Sequence, residues 1–293
     1  MVVKSQVGER VTAGESAGLK AKRWAWLAFC ELVMIISALV ALFPIYFMVV
    51  TSFKTQKEYI ADRWGLPARI TFDNYVAAFA GKAFGQWFLN STILTVVSVL
   101  LVSLCAGLAA YALARMDFIG RRLLGNLNIS LMIVPPVVML VPLFLLMVEL
   151  RLVNTYASAI LIYVGLMMPF STYLLTNFFK TIPQDIVDAA YMDGCSNLGI
   201  FWRIMLPLSG PAFFTLIVVN AMWVWNELLI ALVFLQDNAL KTLMVGLTVF
   251  KSRYNLNIPV TMAGLVVATV PIVALYLASQ KSFIRGLTAG AVK

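Results

Sequence analysis

Six separate stretches of this 293-residue chain are each long and apolar enough to cross a lipid bilayer, and this constrains its fold more than any other feature. They cover residues 24–50, 88–114, 123–148, 156–179, 211–235 and 260–279. About 20 helical residues span a hydrocarbon core roughly 30 Å thick. In that core only helices and closed barrels satisfy every backbone N–H and C=O. Unbroken apolar runs of this length therefore predict an all-α, polytopic membrane protein with six transmembrane helices. Composition agrees, because 62% of residues are hydrophobic and only 12% charged, whereas a soluble domain carries about a quarter charged residues. The first span is too long for a signal-peptide core and lacks a small-residue cleavage site, so it is expected to be retained.

An even number of spans returns the chain to its starting side, and charge identifies that side. Of the 22 Lys and Arg residues, 13 fall in segments on the side of the termini and the 180–210 connection, and 9 on the other. Cationic residues accumulate on the cytoplasmic side, so both termini are expected inside. The net charge of +9 is thus a matter of topology and does not call for nucleic acid. The expected organisation is a flexible polar tail over 1–23, a six-helix membrane domain over 24–285 and a short tail over 286–293. Within the membrane domain lie an inner loop (181–210) and two outer segments (51–85 and 236–259). The mixed polar and aromatic 51–85 stretch suits amphipathic pieces at the interface. A kink is expected near Pro44, and Pro135, Pro136, Pro142, Pro169 and Pro271 also fall within spans. Glu31 is the one charge in the first span.

Several chemistries lack their residues. Histidine is absent, which removes the commonest metal ligand and general base. Cys30, Cys105 and Cys195 are too far apart in sequence to suggest a metal site or disulfide framework. The only glycine–lysine region resembling a phosphate loop, Gly14 to Lys20, has the wrong spacing and no preceding strand. No nucleophile–base pair stands out. The chain reads as a non-enzyme with no cofactor of its own, whose energy must come from another chain.

The most informative polar segment is 188–207, DAAYMDGCSNLGIFWRIMLP. Pro183 suits the first turn of a short helix, with Asp185 and Asp188 towards its positive end. Ala189, Ala190 and Gly194 would offer a small-residue face, and Gly194 can take the left-handed conformation that ends a helix. Ser196 can cap a second helix, on which Leu198, Phe201, Trp202 and Met205 form an apolar stripe that Pro207 would stop. The same segment resembles the cytoplasmic signature loop of the membrane subunits of bacterial ABC importers: Glu-Ala-Ala, three residues, Gly, nine residues, Ile-x-Leu-Pro. Here Asp188 replaces the Glu, and the other spacings match through Ile204, Leu206 and Pro207. The resemblance implies a type I ABC importer permease fold. It also implies that Asp188, Ala189, Ala190, Asp193, Gly194, Ile204, Leu206 and Pro207 form a coupling helix gripped by an ATPase subunit.

The tail Gly-Leu-Thr-Ala-Gly-Ala-Val-Lys (286–293), the Trp225-Asn226-Glu227 cluster and the Asn90-Ser91-Thr92 entry are similar to one membrane subunit of carbohydrate importers of the maltose type. That similarity implies a second permease subunit, two ATPase subunits carrying ATP and Mg, and an extracytoplasmic sugar-binding protein, all assembled in a bacterial inner membrane. The solute would be a di- or oligosaccharide of malto-oligosaccharide or alginate type. Candidate pathway residues are Asn90, Tyr173, Asn177, Asn220, Trp223, Trp225, Asn226 and Glu227, because buried polar groups need partners and intramembrane acids are costly. Each has a structural alternative as an interhelical hydrogen bond or interfacial aromatic. The 236–259 segment resembles the outer loop that enters the binding protein, with Lys241, Lys251, Arg253 and Tyr254 on its surface; a solvated hairpin is the alternative. A permease for a non-sugar solute and a self-sufficient secondary carrier remain the rival readings.

Overall fold

The structure, a computed structural model, describes residues 17–80, 82–253 and 257–289, and among these every regular element is a helix. The first is α1 (Ala17–Ser52), followed by two short helices, α2 (Gln56–Ala61) and α3 (Asp73–Phe79), and then α4 (Lys82–Arg115). Next come α5 (Arg121–Leu131), α6 (Pro136–Glu149, opening with a 3-10 turn) and α7 (Tyr156–Thr181). The 181–210 loop holds α8 (Gln184–Met192) and α9 (Asn197–Leu208). The chain continues with α10 (Gly210–Asn226), α11 (Leu229–Phe234), α12 (Leu243–Arg253) and α13 (Ile258–Ala289). Four helices are long and apolar enough to cross a membrane alone, and two bent pairs, α5/α6 and α9/α10, bring the spans to six.

The core is centred on α4 and α7, which run parallel and make the most extensive helix–helix contact. Ala106 and Ala110 lie one turn apart on α4, both fully buried, and their small side chains let the backbones approach. Leu175, Tyr163, Phe179, Leu216 and Phe201 fill the space around them. Two ends of the bundle are pinned by polar side chains. At one, Tyr156 OH and Gln86 Nε2 donate to Asn90 Oδ1 at 2.7 and 2.8 Å, and Asn90 Nδ2 donates to the carbonyls of Ala239 and Lys241. At the other, the Arg115 guanidinium donates to the carbonyls of Phe179 and Ile182.

The helices depart from the apolar runs at several points. The 123–148 run is two helices, α5 and α6, set at 100°. Pro136 has no N–H to donate and drives Pro135 into an extended conformation (φ −66°, ψ 132°), so the helix stops before them. The 211–235 run breaks at Glu227, whose backbone is extended (φ −71°, ψ 129°). Its carboxylate accepts from the N–H of Ile230 at 2.8 Å and of Ala231 at 3.1 Å, capping the positive end of α11. α1 begins at Ala17, inside the stretch expected to be a flexible tail, and continues past Pro44; α13 continues to Ala289, past the expected boundary at 286. The rest of both tails, 1–16 and 290–293, lies outside the described residues.

Candidate functional site

The 181–210 loop is a helix, a sharp turn and a second helix. Pro183 precedes the first turn of α8 instead of standing in it, with Asp185 in that first turn. α8 ends where the Asp193 N–H donates to Ala189 O and the Gly194 N–H to Tyr191 O, each at 3.0 Å, and the Cys195 N–H reaches back to Ala190 O. Gly194 has φ +78°, a left-handed conformation that a side chain would oppose. A Cβ built on it meets nothing within 4 Å, so the turn stands clear of the rest of the chain. Ser196 then caps α9 by accepting the Gly199 N–H at 3.2 Å. The Tyr191 hydroxyl bonds Asn197 Oδ1 across the turn and locks the two helices together.

The loop sorts its residues by face. Asp188, Ala189, Asp193 and Gly194 are exposed, but Ala190 is buried beside Val187, so the small-residue face is narrower than the sequence suggests. Asp188 accepts from Gln184 Nε2 at 2.9 Å, and Gln184 Oε1 in turn accepts from Arg115. The expected α9 stripe also divides. Phe201 and Met205 are buried, Ile204 and Leu206 are half-buried, and Leu198 (60% exposed) and Trp202 (47%) point away with Met192 (88%). The inward side is claimed by Tyr111 of α4, whose ring lies 5.7 Å from that of Phe201. Pro207 does not stop α9. The chain makes a π turn over Phe201–Met205, with the Leu206 N–H reaching Phe201 O, and the helix ends two residues after the proline at Ser209. A proline disturbs the helical bonds of the turn before it, which places the wide turn there.

Arg115 and Gln184 anchor this loop and were not among the residues expected to matter. An Arg at the end of an apolar span reads only as a topology signal, and its partners lie more than 60 residues away in sequence.

The pathway candidates are dispersed. Asn90 is a structural tie, as described above. Asn220 Nδ2 donates to Ser171 Oγ at 2.9 Å, joining α10 to α7, and Trp225 Nε1 donates to Ala268 O at 3.1 Å, joining α10 to α13. Glu227 serves as the cap of α11 and accepts Tyr163 OH at 3.0 Å. Trp223 stacks edge-on to Tyr163, and Asn226 bonds its own helix. Tyr173 and Asn177 share a cavity, between α5 and α7.

The described part of the 236–259 segment contains a helix, α12. α12 buries Leu243, Val245 and Leu247 against the bundle, and a Cβ on Gly246 would lie 2.1 Å from the Trp87 ring. Lys241 Nζ donates to Asn238 Oδ1 at 2.6 Å. Tyr254 and the side chains of Lys251 and Arg253 lie outside the described residues.

Residues 103–288 match the family model described as binding-protein-dependent transport system inner membrane component. The melibiose/raffinose/stachyose import permease protein MelC of Bacillus subtilis (strain 168) is 36% identical over 94% of this chain and 100% of its own length. The sulfoquinovosyl glycerol transport system permease protein SmoH of Agrobacterium fabrum is 37% identical over 86% of this chain and 89% of its own. Among solved structures, a chain of a bacterial ABC transporter involved in the import of the acidic polysaccharide alginate superposes with a TM-score of 0.80 at 26% identity, covering 93% of this chain and 100% of that one. A chain of the bacterial alginate ABC transporter in complex with an alginate pentasaccharide-bound periplasmic protein shares the fold at a TM-score of 0.65 and 18% identity, covering 90% and 97%.

Proposed function

Because the chain belongs to the family of binding-protein-dependent transport system inner membrane components, we propose that it carries a di- or oligosaccharide inward as one of two permease subunits, driven through its α8–α9 loop by ATPase subunits. It is a multi-pass protein of the bacterial inner membrane, and ATP is hydrolysed, with Mg bound, on the partner chains. The substrate class is supported by the saccharide names of the relatives, and the extracytoplasmic binding protein by the company the alginate transporter keeps. Both termini and the α8–α9 loop face the cytoplasm in this reading, in line with the distribution of Lys and Arg.

One observation carries the coupling role. α8 and α9 form a rigid knob, tied by Arg115 to the ends of α4 and α7, whose outward surface is apolar at Met192, Leu198 and Trp202. Exposed apolar residues clustered beside acidic ones mark a surface for another protein. Asp188, Ala189, Asp193 and Gly194 form its polar edge, while Ala190, Ile204, Leu206 and Pro207 shape it from behind. ATPase closure would move this knob, and the Arg115 anchor would pass the movement to α4 and α7. At the opposite end, the segment through Lys241 and on to Lys251, Arg253 and Tyr254 is the surface assigned to the binding protein.

Leu198→Glu and Trp202→Glu test the reading. Each side chain is exposed, so the subunit should insert and fold normally, while co-purification with the ATPase subunits falls at least tenfold. Parental levels of ATPase in the purified complex would show that this surface is not the grip.

A further inference from the structure

A cavity of about 1070 Å³ lies between α5, α7 and the 115–122 turn, at the end of the bundle that carries the α8–α9 knob. Its α7 wall is Tyr173, Thr176, Asn177 and Lys180. That spacing (i, i+3, i+4, i+7) puts all four on one face and makes the polar row about 10 Å long. Arg122 and Asn126 of α5 stand opposite. None of the side chains of Tyr173, Asn177, Lys180, Arg122 and Asn126 is hydrogen-bonded to another described residue, and Thr176 Oγ1 is buried with no partner. The acid at the cavity, Asp117, is neutralised by Arg121 at 2.6 Å, which leaves Arg122 and Lys180 as cations without a counter-charge among the described residues.

These groups are costly in contact with lipid. Unpaired polar atoms facing hydrocarbon lose their hydration, so such rows persist in membrane helices where they face water or protein. A bound lipid headgroup would reach the cations at the mouth but not Tyr173, two turns deeper. The volume lies just above the range of about 300–1,000 Å³ typical of pockets for drug-sized ligands. We propose that this cleft is the inner vestibule of the solute pathway, where this chain itself touches a polyhydroxylated solute. Asn126 and Asn177 exchange hydrogen bonds with its hydroxyls, Tyr173 presents a ring to its apolar face, and the cations Arg122 and Lys180 favour acidic sugars at the exit. The inference rests on the transporter reading above.

The test places single cysteines at Asn126, at Asn177 and at Leu161, exposed in the apolar first half of α7, in a version with Cys30, Cys105 and Cys195 changed to Ser, within the full complex in inside-out vesicles. Uptake by this cysteine-free parent in right-side-out vesicles is measured first; absence of any ATP-dependent saccharide uptake by the native complex would sink the transporter reading itself. Given uptake, a membrane-impermeant thiol reagent should modify the cysteines at 126 and 177 at least tenfold faster than that at 161. Trapping the ATPases closed with ATP and vanadate should slow those two reactions at least fivefold. A slow reaction at 177 would mean that another subunit fills the cleft, and a fast reaction indifferent to vanadate would mean an aqueous pocket off the pathway; either overturns the proposal. With Arg122→Gln and Lys180→Gln combined, uptake of a uronic-acid trisaccharide should fall several-fold more than that of raffinose, and equal losses would refute the charge preference.

Discussion

Removing the guanidinium of Arg115 should uncouple ATP hydrolysis from transport without ejecting the subunit from the membrane. The group donates to Phe179 O, Ile182 O and Gln184 Oε1, so it joins the last turn of α4, the end of α7 and the start of α8. Hydrogen bonds to a charged group contribute about 1.5–3 kcal/mol each, and a cation near a helix C-terminus adds roughly 0.3–1 kcal/mol. Arg115 is half-buried, so water recovers part of this in Arg115→Ala, and the net loss should be about 3 kcal/mol, near 150-fold in the population of the anchored loop. Arg115→Lys keeps the charge but cannot fork across three acceptors, and should lose about half as much. Gln184→Leu removes only the branch towards Asp188 and should be the mildest. The assay is solute taken up per ATP hydrolysed in reconstituted vesicles, paired with limited proteolysis of the 183–197 stretch. Falling stoichiometry with faster cleavage, graded Ala, then Lys, then Leu, is the expected result. Parental stoichiometry and cleavage in Arg115→Ala would refute the anchoring argument.

Gly194 provides a second series. Its φ of +78° penalises a β-carbon by about 1–2 kcal/mol, and the open space around it means no clash within the chain. Gly194→Ala should therefore weaken coupling modestly, Gly194→Asn should recover much of it, and Gly194→Leu should in addition lower ATPase co-purification; equal behaviour of Leu and Ala would show that no subunit packs over the turn. For orientation, a cysteine at Asn238 should react with an impermeant thiol reagent from outside the cell and one at Ser16 should not, and the opposite pattern would invert the topology.

Features decided within a few residues were legible in the sequence. Apolar length marks a span whatever surrounds it, and Gly194 and Ser196 end one helix and begin the next through bonds reaching at most five residues. Features decided by distant partners were not. The split of the α9 stripe depends on where Tyr111 stands and on a π turn that breaks the assumed 3.6-residue period. Ala190 looks no different from Ala189 until its neighbours are known. Glu227 and Asn90 drew attention as costly polar residues in apolar runs, and both resolve into bonds that hold helix ends, one local and one spanning about 150 residues. Prolines 135 and 136 announced a disturbance but not its size, a 100° angle between α5 and α6.

The most apolar window of α1 has no residue buried within the chain, although the C-terminal end of the helix is embedded at Thr51 and Ser52. Side chains that the folded subunit leaves mostly exposed report only weakly on its cooperativity. Thermal or denaturant unfolding of the purified subunit should respond little to substitutions such as Leu39→Ala, which delete a side chain that is 63% exposed. Whatever free energy those side chains contribute belongs to the environment that covers them, so it varies with the detergent, lipid or neighbouring chain supplied.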